Sequence, residues 1–315
     1  MSLLITRAGL QTTIQAASRS GLRYLGVPSC GPADPLSMAL ANHLVGNPLT
    51  APALEVTLTG LDLVFESSTC FAITGAPSPS ALNDKALNFH QSRKAAPGDE
   101  LHIGAPTSGT RVYIAIAGGL AAEEFLGSGS TYLPAGFGGF RGRALQNGDR
   151  LNLVSDAQRC RKRLTPTEFQ PPMTGKWAVR ACVGAEFELL DDVGKNRLFD
   201  TNFTVGARND RMGMRLEGTE LVAKTEGDLP SVPVFPGCVQ CPAGGSPYLL
   251  AVDAQTTGGY PRIAQVARMD LHALGQFRAG DHLRLLRRSP DEAAEELREK
   301  LNYWRVWLPD IDSVI

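Results

Sequence analysis

The chain has 315 residues, of which 43% are hydrophobic and 20% are charged, with 31 Lys and Arg against 32 Asp and Glu. This composition supports a buried core and excludes wholesale disorder or collagen-like structure, while the formal net charge of −1 gives little support for binding nucleic acid or anionic membranes through overall charge. The 33 Gly and 21 Pro residues are dispersed, which predicts many tight turns between short strands. Because no apolar run has the ~18 to 20 residues of a spanning helix and Met1 to Gln11 does not resemble a secretory signal, we expect a cytoplasmic protein.

Local signals in chain order predict mostly strands and two helices. Asp34 is a candidate N-cap and Pro35 suits the first helical position, so a helix is predicted from there to about Gly46. Asn83-Asp84 separates two short apolar runs and predicts a hairpin turn. Ser289-Pro290 opens a second helix near the C-terminus. Strands are predicted from alternating or β-branched runs at 53–58, 61–65, 70–74, 111–117, 177–183 and 248–252.

A short phrase occurs three times, at Gly98-Asp99, Gly148-Asp149 and Gly280-Asp281, each followed by polar, Leu, polar and aliphatic residues. Glycine suits a positive φ in a turn, the Asp side chain can accept hydrogen bonds from the turn backbone, and the alternation predicts a strand with one buried face. The repeat is therefore interpreted as structural.

The predicted fold is mainly β, with two β-barrel-like domains, a few short helices and a C-terminal helix. A polar stretch that begins near Arg159 and contains several prolines is typical of a linker. We therefore expect a first domain at 1–160, a linker at 161–176, a second domain at 177–288 and a C-terminal helical extension at 289–315.

Six cysteines are spread through the chain, so reduced thiols are expected. Cys238 and Cys241 form a C-x-x-C pair, but no second pair or suitably spaced histidines accompany it, so we expect two buried small residues and no metal site. Cys30 precedes the first helix, where a thiolate would be favoured. A cysteine nucleophile also needs a base, and no histidine lies near it in sequence.

Two segments have the composition of anion-binding sites. The glycine-rich stretch 127–143 offers free backbone N–H groups around Gly139 and beside Arg141. A second segment places Arg208, Asn209 and Arg211 on one turn, where planar guanidinium groups suit a carboxylate or carbamate. The alternatives are a loop that serves only geometry and arginines that are solvated or paired with local acids.

The stretch from Asp253 to Arg262 directly follows an apolar strand, a position where binding and catalytic residues are common. Asp253 is a candidate base or orienting acceptor, Gln255 and Thr256 are candidates for reading an amide, and Arg262 is a candidate anion clamp. Thr257 and Tyr260 are further candidates for contacting a substrate. The alternative is a capped turn without function, since Asp, Thr and Gly are ordinary turn residues.

Several phrases together resemble the biotin-dependent carboxyltransferase family, which includes the second subunit of allophanate-hydrolase-type proteins, KipA regulators and the C-type subunit of 5-oxoprolinase. The resemblance covers nearly the whole chain in order, and the phrase Asp253 to Arg262 is its most specific part. The other phrases are at 25–34, 53–57, 73–76, 115–119, 127–150 and 209–213. One departure is that the family usually has Asp-Gly-Gly-Arg where this chain has Ala16-Ala17-Ser18-Arg19.

The resemblance implies cyclophilin-like β-barrels, a KipI-like, B-type subunit as partner and, for a 5-oxoprolinase, a third, A-type subunit. Such an enzyme opens 5-oxo-L-proline to L-glutamate with ATP. The chain has no G-x-x-x-x-G-K-[ST] phosphate-binding loop, so we expect no cofactor on this chain alone and ATP handling by the complex.

Three functions remain open at this point. The first is the C-type subunit of an ATP-dependent 5-oxoprolinase, with Arg262 or Arg208 holding the substrate carboxylate. The second is the carboxyltransferase component of a biotin-dependent urea or amide carboxylase, which would need a separate biotin carrier. The third is a non-enzymatic, KipA-like antagonist of a KipI-type kinase inhibitor.

Overall fold

The computed structural model describes residues 1–155, 160–224 and 229–315, so that Arg159 lies outside the described residues. The described chain divides into two compact units. The first unit comprises Met1–Arg19, Cys30–Met173 and Trp304–Ile315, and the second comprises Ser20–Ser29 and Thr174–Tyr303. No helix in the described ranges is long and apolar enough to cross a membrane.

The first unit is built from two antiparallel sheets and one helix. Its elements are β1 (Ser2–Arg7), β2 (Gln11–Gln15), α1 (Pro35–Val45), β3 (Ala53–Thr57), β4 (Leu61–Phe65), β5 (Thr69–Gly75), β6 (Ser80–Leu82), β7 (Lys85–Ala86), β8 (Ser92–Ala95), β9 (Glu100–Ile103), β10 (Arg111–Ile116) and β11 (Arg150–Asn152). A six-stranded sheet has the order β11-β1-β4-β9-β6-β7, and a five-stranded sheet has the order β2-β3-β10-β5-β8. One apolar core takes buried side chains from both sheets, for example Leu3 and Phe65 from the first and Leu54 and Ile114 from the second.

The helix cap and the hairpin turn that the sequence predicts for this unit are both present in the structure. Asp34 caps α1 by accepting a hydrogen bond from the Ser37 N–H at 3.0 Å, and Gly46 ends the helix with φ 81°. Asn83 and Asp84 have φ values of 48° and 64° between β6 and β7, as a tight hairpin turn requires. The predicted helix and hairpin are therefore confirmed.

The repeated Gly-Asp phrase forms the same turn each time. Gly98, Gly148 and Gly280 have φ values of 88°, 90° and 90°. The Asp that follows each glycine accepts a hydrogen bond at 2.7 to 3.0 Å from the N–H of the residue three positions before it. A strand begins immediately afterwards in all three cases, which confirms the structural interpretation.

The glycine-rich loop of the first unit is organised around one buried arginine. Arg19 is 1% exposed. Its Nε donates to the Phe125 carbonyl at 2.7 Å, and its Nη2 donates to the carbonyls of Ser128 and Ser130 at 3.1 and 2.7 Å. Its guanidinium also lies 4.8 Å from the centre of the Phe137 ring. Arg19 therefore holds both sides of the loop by contacts to main chain and ring.

The second unit contains a closed seven-stranded barrel. Its elements are β12 (Lys176–Val183), α2 (Asp192–Asp200), β13 (Phe203–Asn209), β14 (Gly213–Glu217), β15 (Val232–Pro233), β16 (Cys238–Gln240), β17 (Tyr248–Leu250), β18 (Thr257–Gly258), β19 (Arg262–Val266), β20 (His282–Arg287) and α3 (Pro290–Arg305). The strand order in the barrel is β12-β19-β16-β17-β14-β13-β20. β12 and β20 pair in parallel and close the barrel, while β15 and β18 form a separate two-stranded ribbon. The mainly β fold with few helices is confirmed.

The cysteines differ from expectation at one pair. Cys70 and Cys160 form a disulfide across a sequence separation of 90 residues, so the expectation of reduced thiols is wrong for these two. Cys70 lies on β5 and Cys160 lies 90 residues further along the chain, so no local pattern indicates the pair. Cys30, Cys182, Cys238 and Cys241 form no disulfide within the described part of the chain.

We predict that Arg19→Leu lowers the free energy of unfolding by about 3 kcal/mol, because buried carbonyls of the glycine-rich loop lose their donor. The matched control is Arg150→Leu in the same unit, whose side chain is 64% exposed and pairs with Glu66. That change is expected to cost less than about 1 kcal/mol. Urea denaturation of the two variants checks the difference, and equal losses would show that the Arg19 contacts do not organise the loop.

Candidate functional site

The loop from Asp253 to Arg262 begins at a buried ion pair. Arg211 Nε and Nη2 donate to the two Asp253 carboxylate oxygens at 2.7 and 2.9 Å, and the side chains are 5% and 2% exposed. The Asp253 N–H also donates to the Arg211 carbonyl at 2.8 Å. Two side chains predicted as site residues are thus brought together. Both carboxylate oxygens of Asp253 accept hydrogen bonds from Arg211, so this carboxylate is suited to orienting the turn. The role of Asp253 as a base stays a prediction.

The loop ends at a second arginine-carboxylate pair. Arg262 Nε and Nη2 donate to Glu186 at 2.8 and 2.6 Å, and Arg262 Nη1 donates to the Pro233 carbonyl at 3.1 Å. The hydrogen bonds from Arg262 hold the pKa of Glu186 below its ordinary value, and those same bonds raise the pKa of Arg262. The predicted anion clamp is therefore already bound to a carboxylate of its own chain, so ligand binding by Arg262 would have to compete with Glu186.

Two amide side chains support the middle of the loop. Gln255 Nε2 lies 3.4 Å from the Oε1 of Gln240, which is 2% exposed at the end of β16. Gln240 Nε2 is buried without a hydrogen-bond partner among the described residues. A Cβ built on Gly258 would lie 2.7 Å from that nitrogen, so the loop passes close to the end of the Gln240 side chain at this point. The amide of Gln255 is thus held in place by a buried residue of the barrel.

The second unit has an open pocket of about 820 Å³ beside this loop, a size that suits a small ligand. Arg23 Nη2 donates to the carbonyls of Val234 and Gln255 at 2.6 and 2.8 Å, and the Arg23 guanidinium lies 5.3 Å from the centre of the Phe235 ring. The pocket is lined by Gly21, Arg23, Tyr24, Gly26, Ser29, Pro233, Phe235, Thr256 and Thr257.

The pocket contains two predicted site residues and several that sequence reasoning missed. Thr256 and Thr257 line it as part of the loop. Arg23, Tyr24 and Phe235 were not predicted. The segment before Gly26 shows no periodic pattern, and the carbonyls that Arg23 contacts lie 211 and 232 residues away. The phrase at 25–34, which is part of the family resemblance, is the nearest available signal.

The remaining candidates of the second unit lie outside this lining. Arg208 is exposed at the end of β13 and forms no side-chain hydrogen bond or ion pair in the described ranges. Asn209 Nδ2 donates to the Phe277 carbonyl at 2.9 Å, which is a structural contact. Tyr260 is 54% exposed on the loop. Burial raises the pKa of Tyr248, and the positive charge of Arg208 partly offsets this increase.

Gly139 and Arg141 belong to the first unit. Gly139 is buried and exchanges two main-chain hydrogen bonds with Glu123 at 3.0 and 2.7 Å. A Cβ at Gly139 would lie 1.9 Å from Thr131 Oγ1, so this glycine is required by close packing. Arg141 is exposed with φ 55°, and its guanidinium lies 5.2 Å from the centre of the Phe140 ring. Substrate contacts by these two residues stay predictions.

Three cysteines outside the disulfide, Cys30, Cys238 and Cys241, are buried and therefore poorly suited to chemistry. Burial raises the pKa of Cys238 to about 12 and also raises that of Cys241, whose Sγ contacts the Leu221 carbonyl at 3.2 Å. Cys30 is 1% exposed, and the ring of His43 packs against Trp307 at 5.0 Å between centroids. Across residues 1–155, 160–224 and 229–315, no group of three or more His, Cys, Asp or Glu side chains is placed to hold a metal ion.

Comparisons with known proteins agree with this fold. The family model described as "Carboxyltransferase domain, subdomain A and B" matches residues 25–287. The chain is 36% identical to the C-type subunit of 5-oxoprolinase from Escherichia coli over 96% of both lengths. It is 35% identical to the corresponding 5-oxoprolinase subunit from Haemophilus influenzae over 92% of both lengths.

A solved structure extends the likeness to a larger enzyme. The crystal structure of the K. lactis urea amidolyase superposes with a TM-score of 0.88 at 27% identity, over 96% of this chain. This chain spans about a fifth of that protein, since the match covers 19% of it. The fold is thus that of a carboxyltransferase-type β protein. The chain belongs to the carboxyltransferase domain family, subdomains A and B.

We predict that Asp253→Leu lowers the free energy of unfolding by about 3 to 5 kcal/mol, because the Arg211 charge stays buried without its carboxylate. Adding Arg211→Met is expected to recover part of this loss, since the double variant buries no unpaired charge. A double-mutant cycle in urea measures the coupling.

The control for this cycle is the exposed pair Arg284–Asp200, whose closest atoms are 3.7 Å apart and whose side chains are 46% and 76% exposed. Its coupling is expected to be below about 1 kcal/mol. Equal couplings for the buried and the exposed pair would contradict a structural role for Arg211 and Asp253.

Proposed function

We propose that the chain is the C-type subunit of an ATP-dependent 5-oxoprolinase, which converts 5-oxo-L-proline to L-glutamate together with partner subunits. The observation that carries this proposal is the 36% identity to the corresponding E. coli 5-oxoprolinase subunit over 96% of both chains. The name of that relative describes a subunit, which supports the need for partners. We propose as partners a KipI-like, B-type subunit and an A-type subunit of 5-oxoprolinase.

The chemistry of the candidate site suits this substrate class. The substrate carries a carboxylate and a planar lactam amide, and opening the ring breaks the amide C–N bond while water supplies an oxygen to the new carboxylate. The loop from Asp253 to Arg262 offers an amide at Gln255 and hydroxyls at Thr256 and Thr257, which are groups that hydrogen-bond an amide. Arginine suits the carboxylate because its planar group donates two parallel hydrogen bonds.

ATP is assigned to the complex and not to this chain. The sequence has no G-x-x-x-x-G-K-[ST] loop. We therefore propose that a partner binds the nucleotide and that this chain contributes to binding the substrate or the activated intermediate.

The second candidate function is the carboxyltransferase component of a biotin-dependent urea or amide carboxylase. It is favoured by the superposition on the K. lactis urea amidolyase, with a TM-score of 0.88. The identity to that protein is 27%, which is lower than the 36% to the E. coli 5-oxoprolinase subunit. Biotin would enter only on a separate carrier under this alternative.

The deciding experiment is to purify the chain with its A-type and B-type partners and to measure glutamate formed from 5-oxo-L-proline and ATP. Turnover that requires all three proteins is the expected result. An intact three-subunit complex without turnover contradicts the 5-oxoprolinase assignment, and turnover of urea with carboxybiotin in the same preparation would favour the second function.

Within that complex, Arg262→Ala is expected to reduce turnover at least tenfold while the complex stays assembled, if Arg262 contributes its charge to the substrate. The matched variant is Glu186→Gln, which keeps the size of the side chain but removes its charge and one of the two oxygens that accept from Arg262. It is expected to lower KM for 5-oxoproline, because the guanidinium then competes less with its own partner. Steady-state kinetics and gel filtration check both variants. If both variants fold and assemble but show wild-type kinetics, the Arg262–Glu186 ion pair only supports the loop.

A further inference from the structure

The first unit contains an open cavity that none of the candidate site residues lines. Its volume is about 840 Å³, a size that suits a small organic molecule. Its walls come from the end of α1, the chain before β3, the turn after β10 and the chain after β11. Arg161 and Arg163 also line it, so we name it the Arg161–Arg163 cavity. The apolar part of its wall is supplied by side chains that include Leu44, Val45, Pro48, Pro52 and Val154.

Hydrogen bonds join the walls of this cavity to one another. Asn47 Nδ2 donates to the Ile116 carbonyl at 2.8 Å, and Asn47 Oδ1 accepts from the Gly118 N–H at 3.1 Å. The end of α1 is thereby joined to the turn after β10. The Val154 N–H donates to the Gly119 carbonyl at 3.0 Å, which joins the chain after β11 to the same turn. Walls that are fixed in this way lose little entropy when a ligand binds.

The short segment that carries Arg161 and Arg163 is attached to the five-stranded sheet. The disulfide of Cys160 joins the start of this segment to Cys70 on β5. Ser92 of β8 donates its Oγ hydrogen to the Arg161 carbonyl at 2.7 Å, and the same oxygen accepts from the Arg163 N–H at 2.8 Å. The main chain of both arginines is therefore positioned beside the cavity before any ligand arrives.

The described lining of the cavity is positively charged. Arg161 and Arg163 are its only charged residues, and neither forms an ion pair within the described part of the chain. Arg163 Nη1 donates to the His43 carbonyl at 2.5 Å, a contact that orients the guanidinium without neutralising it. By contrast, Arg143 of the same unit is paired with Asp149 at 2.7 Å. The two cavity arginines thus keep their charge for a ligand.

Further cations lie next to these two in the described structure. Lys162 stands between them, and Arg93 and Lys94 lie on β8, the strand to which the segment is bonded. None of these three forms an ion pair among the residues that the structure describes. Five positive charges on two adjacent segments, in a chain of net charge −1, create a local positive potential that attracts anions.

The spacing of the two arginines indicates the kind of anion. Arg161 and Arg163 are two positions apart and both line the cavity, whereas Lys162 between them does not. One carboxylate satisfies one guanidinium in a bidentate contact. A phosphate monoester carries about two negative charges at pH 7 and several acceptor oxygens, so it can bind two guanidinium groups together. The paired arginines therefore favour a phosphate over a single carboxylate.

We propose that the Arg161–Arg163 cavity binds a small phosphate monoester, whose phosphate is held by the two arginines and whose organic part packs against the apolar wall. This inference does not rest on the proposed function, because the cavity belongs to the first unit and shares no residue with the loop from Asp253 to Arg262.

The first experiment titrates the full chain with phenyl phosphate, inorganic phosphate and benzoate in a calorimeter. Phenyl phosphate is expected to bind about tenfold more tightly than benzoate, because its phosphate engages both arginines. It is also expected to bind several times more tightly than inorganic phosphate, because its ring contacts the apolar wall. Equal affinity for phenyl phosphate and benzoate would overturn the recognition of phosphate, and no binding of phenyl phosphate would overturn the site.

A pair of variants in the same segment separates the cavity from the general positive potential. Arg161→Gln is expected to weaken phenyl phosphate binding about tenfold. Lys162→Gln is the matched control, since it removes one positive charge from the neighbouring position but does not change the lining. Its effect is expected to be below about twofold, because exposed charges outside the site are screened by salt. Equal losses in the two variants would show that anions bind through the overall potential and not in the cavity.

Ala51→Leu tests the position of the organic part. Ala51 lines the cavity, so a larger side chain there reduces the space for the ring. This variant is expected to bind inorganic phosphate like the wild type and to lose the preference for phenyl phosphate. A folded Ala51→Leu chain that keeps the preference would contradict the proposed packing. Thermal unfolding checks that every variant folds, and Arg161→Gln with its control decides the inference if Ala51→Leu does not.

Discussion

The buried ion pair between Arg211 and Asp253 is the contact from which the geometry of the candidate site follows. Removing two charges from water is costly, and such a pair is stable only when its geometry and additional hydrogen bonds are good. Here both carboxylate oxygens accept from Arg211, and the main chains of the two residues are also hydrogen-bonded at 2.8 Å. The turn after β13 is thereby joined to the loop after β17. The loop begins at a fixed point, and its later residues can be placed precisely.

The rest of the loop is fixed by contacts of other kinds. Arg23 holds the Gln255 carbonyl, Gln240 holds the Gln255 amide, and Glu186 holds Arg262 at the end of the loop. A loop attached at its beginning, middle and end has little conformational entropy left to lose when a ligand binds. These attachments explain why a stretch rich in Thr and Gly can present hydroxyl groups to a pocket in a defined arrangement.

Which parts of the fold and the site can be predicted depends on how far apart along the chain the contacting residues lie. The helix cap, the hairpin and the three Gly-Asp turns can be predicted because donor and acceptor lie within a few residues of each other. The site loop can also be predicted, because it follows a strand and concentrates polar groups. The partners of the arginines cannot be predicted in this way, because they lie far away in sequence. Asp253 lies 42 residues from Arg211, and Glu186 lies 76 residues from Arg262. The carbonyls that Arg23 contacts lie 211 and 232 residues away. Only the folded barrel shows which carboxylates and carbonyls surround each guanidinium.

Arg19 shows why a departure from the family pattern is compatible with the fold. The family's Asp-Gly-Gly-Arg is Ala16-Ala17-Ser18-Arg19 here, so an acid and two glycines are lost. The described acceptors of Arg19 are the main-chain carbonyls of Phe125, Ser128 and Ser130. Ser18 is accommodated because Gly31, with φ 95°, has no side chain: a Cβ there would lie 2.3 Å from Ser18 Oγ. The arginine thus keeps its contacts to the glycine-rich loop without the acid, which indicates that in this chain its part in the first unit is to hold that loop.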